Sequence, residues 1–267
     1  MEFLGFLVSG EGLKMAPSRS AAIVKWPIPK TQKEVQIILG LWNFYRRFIK
    51  GYARIVAPIT DILKGNGKNF IFGERQKAAY FKICILFAAE NTPILRHYEE
   101  DRPVLVETDA SDYALGAVLS QKFEDGKIHP VAFISKKFSP AEINYQIYDK
   151  EMLAIVYAMK TWRCYLQGEI HTTIIYSDHM NLQYFKETNQ LNRRQARWAE
   201  VLQEYDFKIV YRKGSANGKA DALSRCPEFI SREGGTQSTE TKALLGPELW
   251  LDIGAMEIDD EQLGEIS

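Results

Sequence analysis

The sequence predicts a mixed α/β fold: a five-stranded sheet flanked by helices, behind a smaller and mostly helical head. Three observations carry that expectation. From residue 103 onward, short runs rich in Val, Ile, Tyr and Phe alternate with longer stretches of helical period. The first of those runs, Val104, Leu105 and Val106, leads directly to a carboxylate, Asp109, although strand interiors avoid charge unless it is paired or metal-bound. Three later segments each bring another carboxylate to a defined place: Glu151 within a long helix, Asp178 at a strand end and Asp221 at the opening of a last helix.

The elements follow in order. Residues 3–15 form a hairpin, with apolar arms and a turn at Gly10-Glu-Gly12. A short helix over 17–25 ends at Trp26-Pro-Ile-Pro29, because proline cannot extend it. Thr31 and Glu34 make a capping box for a helix that runs to about residue 49 and stops at Gly51. A Gly, Asn and Lys loop at 64–68 marks a boundary. A helix over 74–89 follows, with Ala78, Phe81, Ile85 and Leu86 on its apolar face. Strands are expected over 104–109, 114–121 and 130–135, the last two joined by a turn at Glu124-Asp-Gly126. Ser139-Pro-Ala-Glu142 opens a helix to about residue 166. A fourth strand covers 171–176, helices cover 180–186 and 193–205, a fifth strand covers 207–211, and Ala220 begins a final helix. Beyond Pro227 the apolar period is lost. The domains expected are therefore 1–66, a tether over 67–99, a sheet-forming unit over 100–227 and an acidic, disordered tail over 228–267.

Composition sets the outer limits. No apolar run approaches the ~18 residues of a membrane span, and no signal peptide is visible. Cys84, Cys164 and Cys226 are too few and too scattered for a disulfide framework or a Cys-x-x-Cys zinc site, so an intracellular location is expected, cytoplasm and nucleus being left open along with the oligomeric state. The net charge of zero hides a gradient: the tail holds ten acidic residues against Arg232 and Lys242, while residues 1–66 hold ten Lys or Arg against four acids. Arg46, Arg47, Lys50 and Arg54 sit among aromatics in that basic head, and Arg193, Arg194 and Arg197 open a later helix. Both groups suit a polyanion; both are equally what a solvated helix face looks like.

Four converging carboxylates, Asp109, Glu151, Asp178 and Asp221, would offer only oxygen, the donor set that suits Mg2+ or Mn2+. Each has an ordinary alternative. Asp109 could start a turn, Glu151 could be a surface glutamate beside Lys150, and Asp221 could cap a helix. His179, next to Asp178, could touch substrate or be structural.

A resemblance narrows the choice. Phe3-Leu-Gly5, Trp26-Pro-Ile-Pro-Lys30, Leu39-Gly-Leu-Trp-Asn-Phe-Tyr-Arg-Arg-Phe-Ile-Lys50 and Ala57-Pro-Ile-Thr60 resemble the end of the reverse transcriptase of gypsy-like long-terminal-repeat retrotransposons, where these segments form the primer-gripping hairpin and the thumb. Thr108-Asp-Ala-Ser-Asp112, Tyr148-Asp-Lys-Glu151, Ser177-Asp-His179 and Asn217-Gly-Lys-Ala-Asp221 are similar to the ribonuclease H domain of the same enzymes. The resemblance covers roughly residues 3–226 and implies a thumb-like segment, a connection and a ribonuclease H-like domain. It makes Asp109, Glu151, Asp178 and Asp221 the metal-binding and catalytic carboxylates. It implies a Mg2+-dependent endonuclease, with Mn2+ as an alternative, that cuts the RNA strand of an RNA/DNA hybrid and has the rest of a retrotransposon polyprotein as its partners. The loop over 213–219 lacks the histidine of cellular ribonucleases H, as gypsy-like domains generally do. The polymerase palm and its aspartates are not in this stretch, so no DNA synthesis is expected of it.

Two further readings stand beside the enzyme. One is a catalytically silent retroelement remnant that binds nucleic acid or protein. The other is an integrase or transposase, whose site would end in Glu where this chain has Asp221 and whose kind has no use for the thumb motifs.

Overall fold

A computed structural model of the chain describes residues 1–64, 70–187 and 191–212. The head begins with a three-stranded antiparallel sheet, β1 (Glu2–Phe3), β2 (Phe6–Ser9) and β3 (Gly12–Met15), so the expected hairpin carries one additional short strand. Gly12 is required here for two reasons. Its φ of 140° suits glycine, and a Cβ would stand 2.2 Å from the carbonyl oxygen of Leu95, because the backbone around Leu95 pairs antiparallel with Leu13.

The helices α1 (Pro17–Val24) and α2 (Gln32–Tyr45) follow, then a 3-10 turn at Arg46–Phe48. Thr31 accepts from the Glu34 amide at 3.2 Å, as a helix cap should, whereas the Glu34 carboxylate accepts from the amide of Lys30 at 2.8 Å. Gly51, with φ 67°, turns the chain into α3 (Tyr52–Ile55), which is followed by α4 (Ala57–Asp61) and α5 (Glu74–Phe87). Trp42, Ile38, Ile23, Phe48, Ile83 and Phe87 are among the buried residues of this head. The apolar face of α5 differs from the expected one: Ala79, Tyr80, Ile83, Cys84 and Phe87 are buried, while Phe81 and Ile85 are exposed. Both stripes are apolar, so periodicity alone could not choose between them.

The second sheet has the order β6-β5-β4-β7-β8, from β4 (Val104–Ala110), β5 (Ala114–Lys122), β6 (Ile128–Lys137), β7 (Thr173–Ser177) and β8 (Phe207–Tyr211). The first three strands are antiparallel and β7 and β8 run parallel to β4. This is the mixed five-stranded sheet that the sequence predicts. The expected helix over 139–166 is broken into α6 (Pro140–Ile143), α7 (Ile147–Thr161) and α8 (Arg163–Leu166). Ser139 and Glu142 form their capping box, but the Asn144 side chain donates through Nδ2 back to the Pro140 carbonyl and Gln146 is extended, so the chain restarts a helix at 147. Residues 180–187 form a 3-10 helix, and α9 covers Arg193–Leu202 under a cap from Asn192. The final helix expected from Ala220 lies outside the described residues.

Central β4 alternates its faces. Val104 and Val106 join Met152, Ile155 and Met159 of α7 in one core, and Leu105 joins Ile174 and Tyr176 on the opposite face. Part of that opposite face receives the head. Val118 and Phe133 belong to the head's core, the Ala53 amide donates to Ser135 Oγ at 2.9 Å, and Lys137 pairs with Asp61.

Candidate active site

Strand register brings the first two carboxylates together. Glu107 is opposite Tyr176 in the parallel β4/β7 pair, and continuing two residues sets Asp109 beside Asp178, which follows directly on Ser177 at the end of β7. Glu151 comes from α7, whose Ala154, Ile155 and Ala158 are fully buried; the helix must turn its first third towards the end of β4. Carboxylate oxygens of Asp109, Glu151 and Asp178 lie within 4.8 Å of one another. Asp221 lies outside the described residues.

The three are not equivalent. Glu151 is 2% exposed; its Oε1 accepts from the Ala110 amide at 3.2 Å, and its Oε2 is buried without a hydrogen bond among the described residues. Burial, and then the charges of Asp178 and Asp109, hold its carboxyl well above the usual range, with the Ala110 amide pulling the other way. Asp109 has a counter-ion, the Arg54 guanidinium, whose Nη2 donates to Oδ2 at 3.0 Å. Asp178 stands at the exposed rim. Close carboxylates, oxygen as the donor each of them offers and a buried Glu151 oxygen without a partner among the described residues together fit a hard divalent cation.

The basic residues divide. Arg46 and Arg47 are exposed beside the 3-10 turn, Lys50 lies 4.0 Å from Glu107, and Arg54 is on Asp109. On α9, Arg193 and Arg197 are exposed, whereas Arg194 turns inward to Asp149 and stacks 3.7 Å from the centre of the Tyr145 ring. His179 Nδ1 is buried without a hydrogen bond among the described residues, and its ring meets Tyr148 edge to face at 5.4 Å.

Sequence reasoning missed several charged groups. Glu107 shares a face with Asp109 and is paired by Arg212 at 3.0 Å, whose guanidinium also lies 3.8 Å from the centre of the Tyr176 ring. Two-residue spacing was the available signal for Glu107; Arg212 had none. Lys150, beside Glu151, is buried with its amine 3.7 Å from Asp112.

The burial of Glu151 makes a prediction. In the unfolded chain this group ionises at its ordinary value of 4.5; in the folded, metal-free protein it keeps its proton to higher pH. The folded state then binds more protons, so stability falls as pH rises above that value. Glu151→Gln removes the loss. In chelator, its melting temperature is expected to exceed that of the wild type at neutral pH, with the gap closing towards pH 4.5.

A mixed five-stranded sheet with a helix-borne glutamate brought to the ends of two adjacent strands is the architecture of a ribonuclease H-like domain. Residues 99–205 match the family model described as the RNase H-like domain found in reverse transcriptase. Over 228 residues it is 40% identical to the Transposon Tf2-3 and Tf2-4 polyproteins of Schizosaccharomyces pombe. The match takes in 84% of this chain and 17% of each polyprotein, so the chain spans about a sixth of the length of these relatives. Among solved structures it is similar to foamy viral protease-reverse transcriptase in complex with double-stranded DNA (TM-score 0.67, 22% identity, 80% of this chain and 38% of that one). It is similar also to the foamy viral enzyme in complex with an RNA/DNA hybrid (TM-score 0.64, 20% identity, 92% and 32%). No helix among the described residues is long and apolar enough to cross a membrane.

Proposed function

We propose that the chain is the ribonuclease H part of a retrotransposon reverse transcriptase and cleaves the RNA strand of RNA/DNA hybrids, using Mg2+ or Mn2+ held by Asp109, Glu151 and Asp178, with Asp221 as the fourth ligand. On this reading residues 1–66 are thumb-like, 67–99 connect, 100–227 form the nuclease domain and 228–267 are a spacer. The observation that carries the proposal is the approach of three carboxylates from separate elements to within 4.8 Å at one end of this sheet. Divalent cations in such a set neutralise charge on the phosphate and acidify water. The protein's own contribution is positional. The Ala110 amide fixes Glu151, the ladder between β4 and β7 fixes Asp109 beside Asp178, and Asp178 gives the cluster an exposed rim. The test is a labelled hybrid incubated with either metal and with chelator: RNA fragments ending in 3′-hydroxyls should appear only with metal, and an uncut hybrid would favour the silent binding module.

Arg46, Arg47, Lys50 and Arg54, with Arg193, Arg194 and Arg197, were the phosphate-contacting residues expected from the sequence. The exposed Arg46 and Arg47 remain the best placed to reach a duplex. Hybrid affinity should fall steeply with salt, and Arg46→Ala with Arg47→Ala should flatten the log-log slope by up to about 2. An unchanged slope would make them a solvated face.

A further inference from the structure

Arg54 reaches the site from outside both the sheet and α7. It comes from α3 in the head, 55 residues before Asp109, and contacts of its neighbours anchor the backbone that carries it. Tyr52 and Ile55 on either side are buried, and the Ala53 amide is tied to Ser135 Oγ on β6 at 2.9 Å. The Arg54 side chain is 18% exposed, and its Nε is buried with no hydrogen bond among the described residues. Burying an arginine with a donor unmet is costly, so the guanidinium is held at Asp109 by its surroundings and is not a surface side chain that has drifted there. Gly116 is directly opposite Asp109 on β5 and lines the same crevice as Lys50, Arg54, Glu107 and Asp109, and Glu107, the other carboxylate there, is already paired by Arg212.

We propose that Arg54 is a built-in counter-ion that competes with the divalent cation for Asp109, so that loading the site requires its guanidinium to leave. Asp109 Oδ2 faces Arg54 while the same carboxylate belongs to the cluster with Glu151 and Asp178. A guanidinium and a dication at one carboxylate repel each other, and a ligand that must displace an existing partner binds with an affinity lowered by that partner's hold. Metal-free, the arginine offsets part of the repulsion within the cluster; once displaced, it is left on the crevice wall beside Lys50, free to meet a phosphate. The proposal rests on the metal-site reading given above, but its test does not depend on cleavage.

The experiment is a titration of the chelator-stripped full chain with Mn2+ alone, followed by the loss of the free-ion electron paramagnetic resonance signal. Arg54→Gln and Arg54→Met remove the charge while keeping much of the side-chain volume, and Lys33→Gln, an exposed site on α2, controls for the loss of one positive charge. The two Arg54 variants are expected to bind the first Mn2+ about fivefold or more tightly than the wild type, the scale of coupling between competing ligands, with Lys33→Gln unchanged. Equal or weaker affinity in folded Arg54 variants would overturn the counter-ion. Binding of Mn2+ by none of the proteins would instead overturn the metal reading beneath it, so the two failures are distinct.

Discussion

Asp109→Asn is expected to lower hybrid cleavage by at least about a thousandfold, while hybrid binding and the fold survive. Asparagine keeps the shape and one oxygen but removes the charge at the carboxylate that lies in the cluster with both Glu151 and Asp178. No neighbour replaces it: Glu107 is on the same face two residues away, but Lys50 and Arg212 already engage it. The substitution also leaves Arg54 facing an amide. The pair is partly exposed, so solvent screens part of that loss, and an unchanged melting temperature would separate lost activity from unfolding. Repulsion among the carboxylates is relieved instead at Glu151, whose buried Oε2 has no compensating partner among the described residues. Cleavage by Asp109→Asn at the wild-type rate would remove the enzyme reading.

Arg194→Ala should act on stability, by about 2–4 kcal/mol, where its neighbours act on binding. Asp149 is 4% exposed and accepts from Arg194 and, at 2.8 Å, from Gln195 Nε2, a clamp that joins α7 to α9. Without the guanidinium, a buried carboxylate keeps one neutral donor. The fully buried case costs more; here the Arg194 side chain is 36% exposed, and solvent screens part of the interaction. The melting temperature should fall by roughly 5–10 °C, and Asp149→Asn in the same chain should restore part of it. Arg193→Ala and Arg197→Ala should leave the melting temperature within about 1 °C and each reduce the salt slope of hybrid binding by up to about 1. If Arg194→Ala behaves like those two, the three residues form one phosphate track and the clamp contributes little.

What was legible in the sequence was whatever is local or periodic. Val104-Leu-Val106 reads as a buried strand because both its faces are covered, one by α7 and the other by Ile174 and Tyr176. Thr31 and Ser139 announce helix starts through bonds that span three residues. The approach of Asp109 and Asp178 follows from two strands ending at one rim. The failures are of another kind. On α5 two apolar stripes compete, and contacts with Ile23 and Trp26, more than fifty residues earlier, decide which is covered. On α9, Arg194 differs from Arg193 and Arg197 only through Asp149 and Tyr145. Arg54 on Asp109 has no local signature at all, since the head must fold onto the sheet before the two can meet.

That docking sets an order in time. Synthesis delivers Trp42, Phe48 and Phe87 well before Val118 and Phe133, yet all five share one core. While the later strands are still being made, the part of the head's apolar surface that Val118 and Phe133 cover stays open, and it stays sticky until β5 and β6 emerge and pair. The nascent chain therefore passes through an interval in which the helices of the head are those most in need of a chaperone, and that interval closes when the far side of the five-stranded sheet arrives.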